Sequence, residues 1–212
     1  MPDIQVKICG INSMTAADAV LQAGADYGGL VFFERSPRHL ALEAGAKLAD
    51  HMRGRLKLAA LVVDAGDEEL AAIAQNVKPD FFQLHGKETP ARASEIRNRF
   101  GARVIKALTP DTMDAAASYD VDLLMFDTPA PRNAVRPGGH GAAFDWAMLN
   151  GKRFALPWFL AGGLNPENVA RAIAASGAMM VDVSSGVESA PGVKSPARIA
   201  AFVAAARQKV SA

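Results

Sequence analysis

The sequence predicts the α/β fold class and, within it, a single (β/α)8 TIM barrel spanning residues 1–212. Eight short apolar segments alternate with eight helix-like segments, and this alternation is typical of a parallel sheet with right-handed crossovers. Polar residues follow several of the apolar segments, and in such a barrel these strand ends all lie at one face. Glycine and serine turns follow the last two apolar segments, where barrels of this kind usually bind phosphate.

The predicted elements account for nearly the whole sequence. The strands are predicted at residues 4–8, 27–32, 56–63, 81–84, 104–107, 121–126, 158–160 and 180–183. The helices are predicted at residues 14–22, 41–52, 68–76, 90–100, 112–118, 146–149, 166–175 and 196–209. Because no segment has the composition of a linker, we expect one domain. Half of the residues are apolar, and a chain of this length can bury roughly 70 per cent of its unfolded surface.

Local signals support the N-terminal elements. The segment 4–8 alternates between apolar and polar residues, as a strand does, and it delivers Cys9 at its C-terminal end. Asn12 or Ser13 can cap the helix that follows. The segment 27–32 is almost wholly apolar, as expected of a strand that is buried on both faces.

The middle of the chain repeats this pattern. One apolar strand ends in His85 and a later one ends in Asp127. The longest irregular segment, 129–143, follows the second of these strands and is rich in Pro, Arg and Gly, which is typical of a loop.

Two turns near the C-terminus form a candidate phosphate site. Small residues let backbone N–H groups approach an anion closely, and a helix N-terminus adds roughly half a positive charge. Asn165 can cap a helix that has Pro166 at its first position and Glu167 in its first turn. Such turns can also serve only as tight bends. The residues predicted to hold phosphate are Gly162, Gly163, Ser184, Ser185 and Gly186.

Composition limits the classes of partner. The chain has 23 basic and 22 acidic residues and no basic run, so we expect no electrostatic binding to nucleic acid or to a membrane. The N-terminal residues resemble neither a signal peptide nor a membrane anchor. Cys9 is the only cysteine, so no intrachain disulfide can form, which agrees with a reducing compartment. We therefore expect a cytoplasmic protein, monomeric or homodimeric, that binds a small molecule.

Two of the polar residues at strand ends could transfer protons. The thiol of Cys9, with an ordinary pKa of about 8.5, would need only a modest downward shift to act as a base near neutral pH. Asp127 ends an apolar strand, where partial desolvation would raise its pKa and make it a usable proton donor. Cys9 could instead be a small buried hydrophobe, and Asp127 could only cap or brace its loop.

Other strand-end residues are candidates for binding. Arg38 offers a planar fork that suits a carboxylate, although a loop arginine can also be merely solvated. Asp182 could accept hydrogen bonds from sugar hydroxyls or serve structure alone. His85 is better explained as a structural or supporting residue than as a proton shuttle, and it is included among the predicted substrate-binding residues. Asp64 and Lys106 could pair with each other or with neighbours, and they stay unassigned.

No metal and no cofactor are expected. The histidines lack the paired spacing of a zinc site; they are His39, His51, His85 and His140.

Seven motifs, taken in order from residue 7 to about residue 194, resemble those of a known family. They are Lys7-Ile8-Cys9-Gly10-Ile11, Gly29-Leu30-Val31-Phe32 leading to Ser36-Pro37-Arg38, Gln83-Leu84-His85-Gly86, Phe126-Asp127-Thr128, Phe144-Asp145-Trp146, Gly162-Gly163-Leu164-Asn165-Pro166-Glu167-Asn168-Val169, and Asp182-Val183-Ser184-Ser185-Gly186-Val187-Glu188. The ordered set resembles the phosphoribosylanthranilate isomerases of tryptophan biosynthesis.

The resemblance implies an aldose–ketose isomerase that performs an Amadori rearrangement on the phosphosugar N-(5-phosphoribosyl)anthranilate. It implies that Cys9 is the general base and Asp127 the general acid. Arg38 would bind the anthranilate carboxylate, and Asp182 would lie near the ribose. The two glycine and serine turns would hold the phosphate.

Two positions depart from the family pattern. His140 stands where the family usually has a Thr or Ser in the Gly-Gly-Thr-Gly loop, and Ser195 stands where an Asp commonly follows the Lys. The first departure could change affinity or pH dependence, and the second puts a contact at a helix start in doubt.

The sequence argues against three alternative functions. A histidine-pathway Amadori isomerase would present an aspartate at the end of the first strand, where this chain has Cys9. A metal-dependent pentose-phosphate epimerase would need His and Asp pairs that the sequence lacks. A catalytically silent phosphate-binding module would have no reason to keep Cys9 and Asp127 together.

Overall fold

Eight parallel strands close into a barrel in the computed structural model, which describes residues 3–129 and 143–208. The strands follow one another around the barrel in chain order, and the first closes against the last through the pairing of Lys7 with Asp182. The barrel strands are β1 (Gln5–Cys9), β2 (Tyr27–Val31), β3 (Lys57–Val62), β4 (Phe81–Leu84), β5 (Arg103–Leu108), β6 (Leu123–Phe126), β7 (Trp158–Leu160) and β8 (Met180–Val183). The predicted (β/α)8 barrel is confirmed.

Helical segments connect the strands. The α-helices are α1 (Met14–Gln22), α2 (Leu42–Met52), α3 (Asp67–Asn76), α4 (Pro90–Phe100), α5 (Val169–Ser176) and α6 (Pro196–Arg207). The helices predicted at 112–118 and 146–149 are 3₁₀ helices, Pro110–Ser118 and Trp146–Leu149. The Ser13 side chain caps α1 by accepting the Ala16 N–H, so of the two predicted caps it is Ser13 that makes the bond.

The helix predicted at 166–175 begins later than expected. Residues 166–168 form a turn, and α5 starts at Val169 with Asn168 as its N-cap residue. Asn165 does accept the Glu167 N–H through its side chain, 3.0 Å away. However, the side chain of Asn168 bonds back to the Asn165 N–H and to the Gly163 carbonyl. These two bonds hold the segment as a turn, so the prediction of an α-helix from Pro166 is wrong.

A short hairpin near the C-terminus was not predicted. It follows a 3₁₀ turn, Ser185–Val187, and pairs β9 (Glu188–Ala190) with β10 (Val193–Lys194) in antiparallel fashion. The hairpin lies next to the loop after β2, because a Cβ atom on Gly192 would lie 2.6 Å from the carbonyl oxygen of Pro37. The hairpin therefore packs against the loop after β2 at the mouth of the barrel.

The core has two parts. The larger one lies between the barrel and its helices, and the smaller one fills the barrel interior, where Tyr27 packs edge-on against Phe159 with ring centroids 5.1 Å apart. Residues two apart on a strand face the same side. The buried side chains of Lys7 and Gln83 therefore lie one layer below Cys9 and His85.

Within residues 3–129 and 143–208, no helix has the length and apolar character needed to cross a bilayer.

Candidate active site

A cavity of about 950 Å³ opens at the face where the barrel strands end. It is lined by the ends of β3 to β6 and the segments that follow them, and His85, Lys106 and Asp127 are among its lining residues. Cys9, Arg38 and Asp182 are not among the described residues that line it. They lie on the neighbouring β1, β2 and β8 side of the mouth.

Cys9 ends β1 and its side chain is buried. Burial raises the pKa of the Cys9 thiol, and the positive charge of Lys7 acts in the opposite direction without overcoming it. For Lys7, burial alone would lower the pKa, but the charges of Asp182 and Cys9 and the hydrogen bonds to both raise it. A Cβ atom on Gly29 would lie 2.9 Å from Cys9 Sγ, so a glycine on β2 is what leaves room for the sulfur. The pKa of the thiol has thus moved up, opposite to the downward shift that the sequence reasoning required.

We expect the Cys9 thiolate to form only above the ordinary cysteine pKa of about 8.5. Because the folded-state pKa is raised, Cys9 contributes stability that is present below the unfolded pKa and lost as pH rises through the folded pKa. A pH titration of the ultraviolet thiolate absorbance, wild type minus Cys9→Ser, measures this directly, since the chain has one cysteine. Complete thiolate formation below a pH of about 8 would contradict it.

Asp127 follows β6 and belongs to a chain of hydrogen bonds. His85 Nε2 lies 3.1 Å from Asp127 Oδ2, and Gln83 Nε2 lies 3.0 Å from His85 Nδ1. The other Asp127 oxygen accepts the Thr128 N–H at 2.7 Å, so the carboxylate also braces its loop. The side chains of His85 and Asp127 are only 9% and 14% exposed. His85 is therefore a direct partner of the predicted proton donor.

Arg38 is buried and not solvated. Its Nε and Nη2 donate to the two carboxylate oxygens of Glu188, at 2.6 and 2.8 Å. Lys194 Nζ lies 2.7 Å from the same carboxylate. Burial acts to raise the pKa of Glu188, but the hydrogen bond from Arg38 and the charge of Lys194 lower it overall. One edge of the guanidinium fork is thus occupied by Glu188, while Nη1 has no partner among the described residues.

Asp182 lies inside the end of β8 and forms a buried ion pair with Lys7, at 2.8 Å. One of its two oxygens therefore has a structural partner. Its predicted contact with a ribose hydroxyl would have to use the other oxygen and stays a prediction.

The two predicted phosphate turns pack against each other. Gly162 and Gly163 have φ angles of 84° and 64°, which only glycine adopts readily. A Cβ atom on Gly186 would overlap the carbonyl oxygen of Leu164 and lie 2.9 Å from its carbonyl carbon. Among the described residues, the backbone N–H groups of Gly163 and Ser185 donate to no acceptor. The two turns therefore lie in contact, and each carries an unused N–H donor.

Each turn also contacts one of the predicted proton-transfer residues. A Cβ atom on Gly162 would lie 3.1 Å from Asp127 Oδ1. The Ser184 hydroxyl donates to the Cys9 carbonyl at 3.1 Å. The structure thus brings the predicted acid, the predicted base and both turns together at one end of the barrel.

The two unassigned residues do not pair with each other. Lys106 Nζ contacts Glu88 at 2.7 Å, and the other oxygen of Glu88 accepts the Asp64 N–H at 2.9 Å. Asp64 in turn accepts the Lys87 N–H. Both were expected to have neighbours, and the buried Glu88 is the residue that connects them.

The two departures from the family pattern have different outcomes. Ser195 accepts the Arg198 N–H and caps α6, so a helix-start contact is present. His140 lies outside the described residues.

Sequence reasoning gave no role to Glu88, Gln83, Glu188 or Lys194. Two features of the sequence indicate some of these residues. Gln83 is a polar residue inside an apolar strand, and a buried polar group usually has a specific role. The Pro191-Gly192 dipeptide between Glu188 and Lys194 is a turn signal that indicates a hairpin.

Comparisons with known proteins show the family of the chain. The sequence model of the family N-(5'-phosphoribosyl)anthranilate (PRA) isomerase matches residues 6–205. The chain is 51% identical over 209 residues to the N-(5'-phosphoribosyl)anthranilate isomerase of Rhodopseudomonas palustris, covering 96% of each chain.

Solved structures are similar as well. TrpF from Jonesia denitrificans is 36% identical, with a TM-score of 0.84 over 96% of this chain and 97% of that one. A phosphoribosyl anthranilate isomerase in complex with reduced 1-(o-carboxyphenylamino)-1-deoxyribulose 5-phosphate is 31% identical, with a TM-score of 0.82 over 96% and 98%. The chain therefore belongs to the N-(5'-phosphoribosyl)anthranilate isomerase family.

Proposed function

We propose that the chain catalyses the Amadori rearrangement of N-(5'-phosphoribosyl)anthranilate to 1-(2-carboxyphenylamino)-1-deoxyribulose 5-phosphate in tryptophan biosynthesis. The observation that carries the proposal is that each of the two candidate phosphate turns contacts one predicted proton-transfer residue. Gly162 lies against Asp127, and Ser184 bonds to the backbone of Cys9. A phosphosugar held by its phosphate at these turns would have its ring within reach of an acid and a base.

Asp127 is the proposed general acid. It protonates the furanose ring oxygen, the ring opens, and the anthranilate nitrogen becomes an iminium. Support comes from the placement of Asp127 in the cavity lining and from its hydrogen bond to His85. His85 supports Asp127 and, as a residue of the same cavity lining, contacts the bound substrate.

Cys9 is the proposed general base. Its thiolate removes the proton from the sugar carbon next to the iminium, which gives an enolamine that tautomerises to the ketone. The iminium nitrogen accepts the electron pair, so the reaction is complete without a metal or a redox cofactor. Burial raises the pKa of the Cys9 thiol, and the buried cation Lys7, one layer below, acts against this and favours the thiolate.

Two anchors hold the flexible substrate. Phosphate is proposed to bind the backbone N–H groups of the turns at Gly162, Gly163, Ser184, Ser185 and Gly186. At the other end, the Nη1 side of Arg38 binds the anthranilate carboxylate while Glu188 holds the opposite edge of the guanidinium. Asp182 accepts a bond from a ribose hydroxyl with the oxygen that Lys7 does not use.

We also propose one domain, a cytoplasmic location and a monomer or homodimer in solution. The single cysteine and near-balanced charge of the chain support the location. Light scattering of the purified protein would distinguish the two oligomeric states.

The proposed reaction has a direct test. Freshly generated phosphoribosylanthranilate is fluorescent through its anthranilate group, and the purified protein should accelerate the decay of that signal with formation of the ketone product. Addition of inorganic phosphate should slow the decay, because it competes with the substrate phosphate for the two turns. Decay at the uncatalysed rate in the presence of a folded protein would refute the proposed function.

A further inference from the structure

A buried amide next to His85 has one end without a partner. Gln83 lies on β4 with no exposed surface. Its Nε2 is 3.0 Å from His85 Nδ1 and 3.3 Å from the sulfur of Met125. Its Oε1 makes no hydrogen bond among the described residues. An unpaired buried amide oxygen is costly, so its presence beneath a reactive site needs an explanation.

The amide orientation in this structure corresponds to one protonation state of His85. Because Nε2 of Gln83 donates, His85 Nδ1 must offer a lone pair. The ring proton of His85 is then on Nε2 and is donated to Asp127 Oδ2, 3.1 Å away. In this state the His85–Asp127 pair holds one proton, and Asp127 is a carboxylate with no proton to transfer.

Rotation of the amide by half a turn produces a second state. Oε1 then lies where Nε2 was, and it can only accept a hydrogen bond, so His85 Nδ1 must carry a proton. Another proton is still shared between His85 Nε2 and Asp127 Oδ2. The pair now holds two protons and no net charge, so it can give one away and keep a hydrogen bond. The oxygen and nitrogen of an amide are similar in size, so the rotation needs little space.

We propose that Gln83 is a positioning residue whose amide orientation stabilises the proton that Asp127 transfers. The inference rests on the proposed function, in which Asp127 protonates the ring oxygen. After that transfer one proton remains on the pair, and the amide turns back to donate to His85 Nδ1. The pair regains its second proton from water once product has left.

The test follows the histidine ring nitrogens by NMR across a pH series, with ¹⁵N-labelled histidine and His85→Asn to assign the signals. We expect wild-type His85 to have its proton on Nε2 at high pH and to gain a proton on Nδ1 as pH falls. Gln83→Met, which removes the amide, should lower the midpoint of this gain, because the charge-assisted hydrogen bond to the charged ring is stronger than the bond to the neutral ring that is lost with it. Gln83→Glu, a permanent acceptor, should raise it. Gln75→Met, at an exposed position of α3, should leave it unchanged.

Kinetics supply the second readout. At neutral pH, Gln83→Met should lower kcat about tenfold while KM changes by less than about twofold, because the residue acts through His85 and not on the substrate. The ratio of wild-type to variant kcat should shrink as pH falls, since both proteins then hold the second proton.

Two results would overturn the proposal. One is a His85 midpoint that is the same in wild type, Gln83→Met and Gln83→Glu. The other is a proton on His85 Nδ1 at every pH in the wild type. This result does not depend on whether a variant folds. A wild type without isomerase activity would refute the proposed function, but the NMR result for Gln83 and His85 would still decide their coupling.

Discussion

Cys9→Ala and Asp127→Asn are each expected to lower kcat by about 10²–10⁴-fold, the usual contribution of one general acid or base. Alanine removes the only thiol of the chain. Asparagine keeps an oxygen that can accept the Thr128 N–H, so the loop after β6 is retained while the transferable proton is lost. KM should change little, because neither side chain is a proposed anchor for phosphate or carboxylate.

Single-turnover decay of the anthranilate fluorescence measures this loss, and thermal unfolding shows that each variant is folded. Asp114→Asn is the matched control, since it makes the same chemical change at an exposed position. A folded Cys9→Ala that keeps more than about a tenth of wild-type kcat would exclude Cys9 as the general base.

The barrel and the position of its site could be predicted from the sequence for a specific reason. The apolar/polar alternation and the apolar content of a strand are local properties, and a candidate residue stands at the end of its own strand. Cys9 and Asp127 could therefore be predicted as candidates without knowing how the strands pair. Barrel closure, which places β1 beside β8, then brings Cys9 next to Ser184.

The partners of those residues could not be predicted, because they come from distant parts of the chain. Arg38 is held by Glu188, 150 residues further along. A sequence window around Arg38 contains nothing that indicates this contact, so the arginine looks solvated when it is buried.

The direction of the pKa shift of Cys9 could not be predicted from the sequence for a related reason. Its direction depends on the balance between burial and the surrounding charges of Lys7, Asp182, Lys194 and Arg38. Only the folded geometry shows that burial outweighs the cations.

The start of α5 could not be predicted, because the side chain of Asn168 bonds back to the Gly163 carbonyl. Such a side-chain bond competes with helix formation, and helix propensities do not show which of the two prevails.

Gly186→Ala is expected to raise KM by about 10–100-fold, which corresponds to the loss of one charge-assisted hydrogen bond to phosphate. The new Cβ atom would overlap the backbone carbonyl of Leu164, and a backbone atom cannot be moved aside by a side-chain rotation. The two turns must separate, so the N–H groups of Gly163 and Ser185 can no longer converge on one anion. Overpacking of this kind also costs about 1–3 kcal/mol of stability.

Gly66→Ala provides the control for this prediction, because a Cβ atom on Gly66 meets open space. Steady-state KM, competition by inorganic phosphate and thermal unfolding should be measured on both variants. Phosphate should compete with the substrate more weakly in Gly186→Ala than in wild type, and in Gly66→Ala it should compete as well as in wild type. If the two variants instead share the same KM and the same phosphate inhibition, the anion does not bind between these turns, and the substrate must be anchored from another part of the mouth.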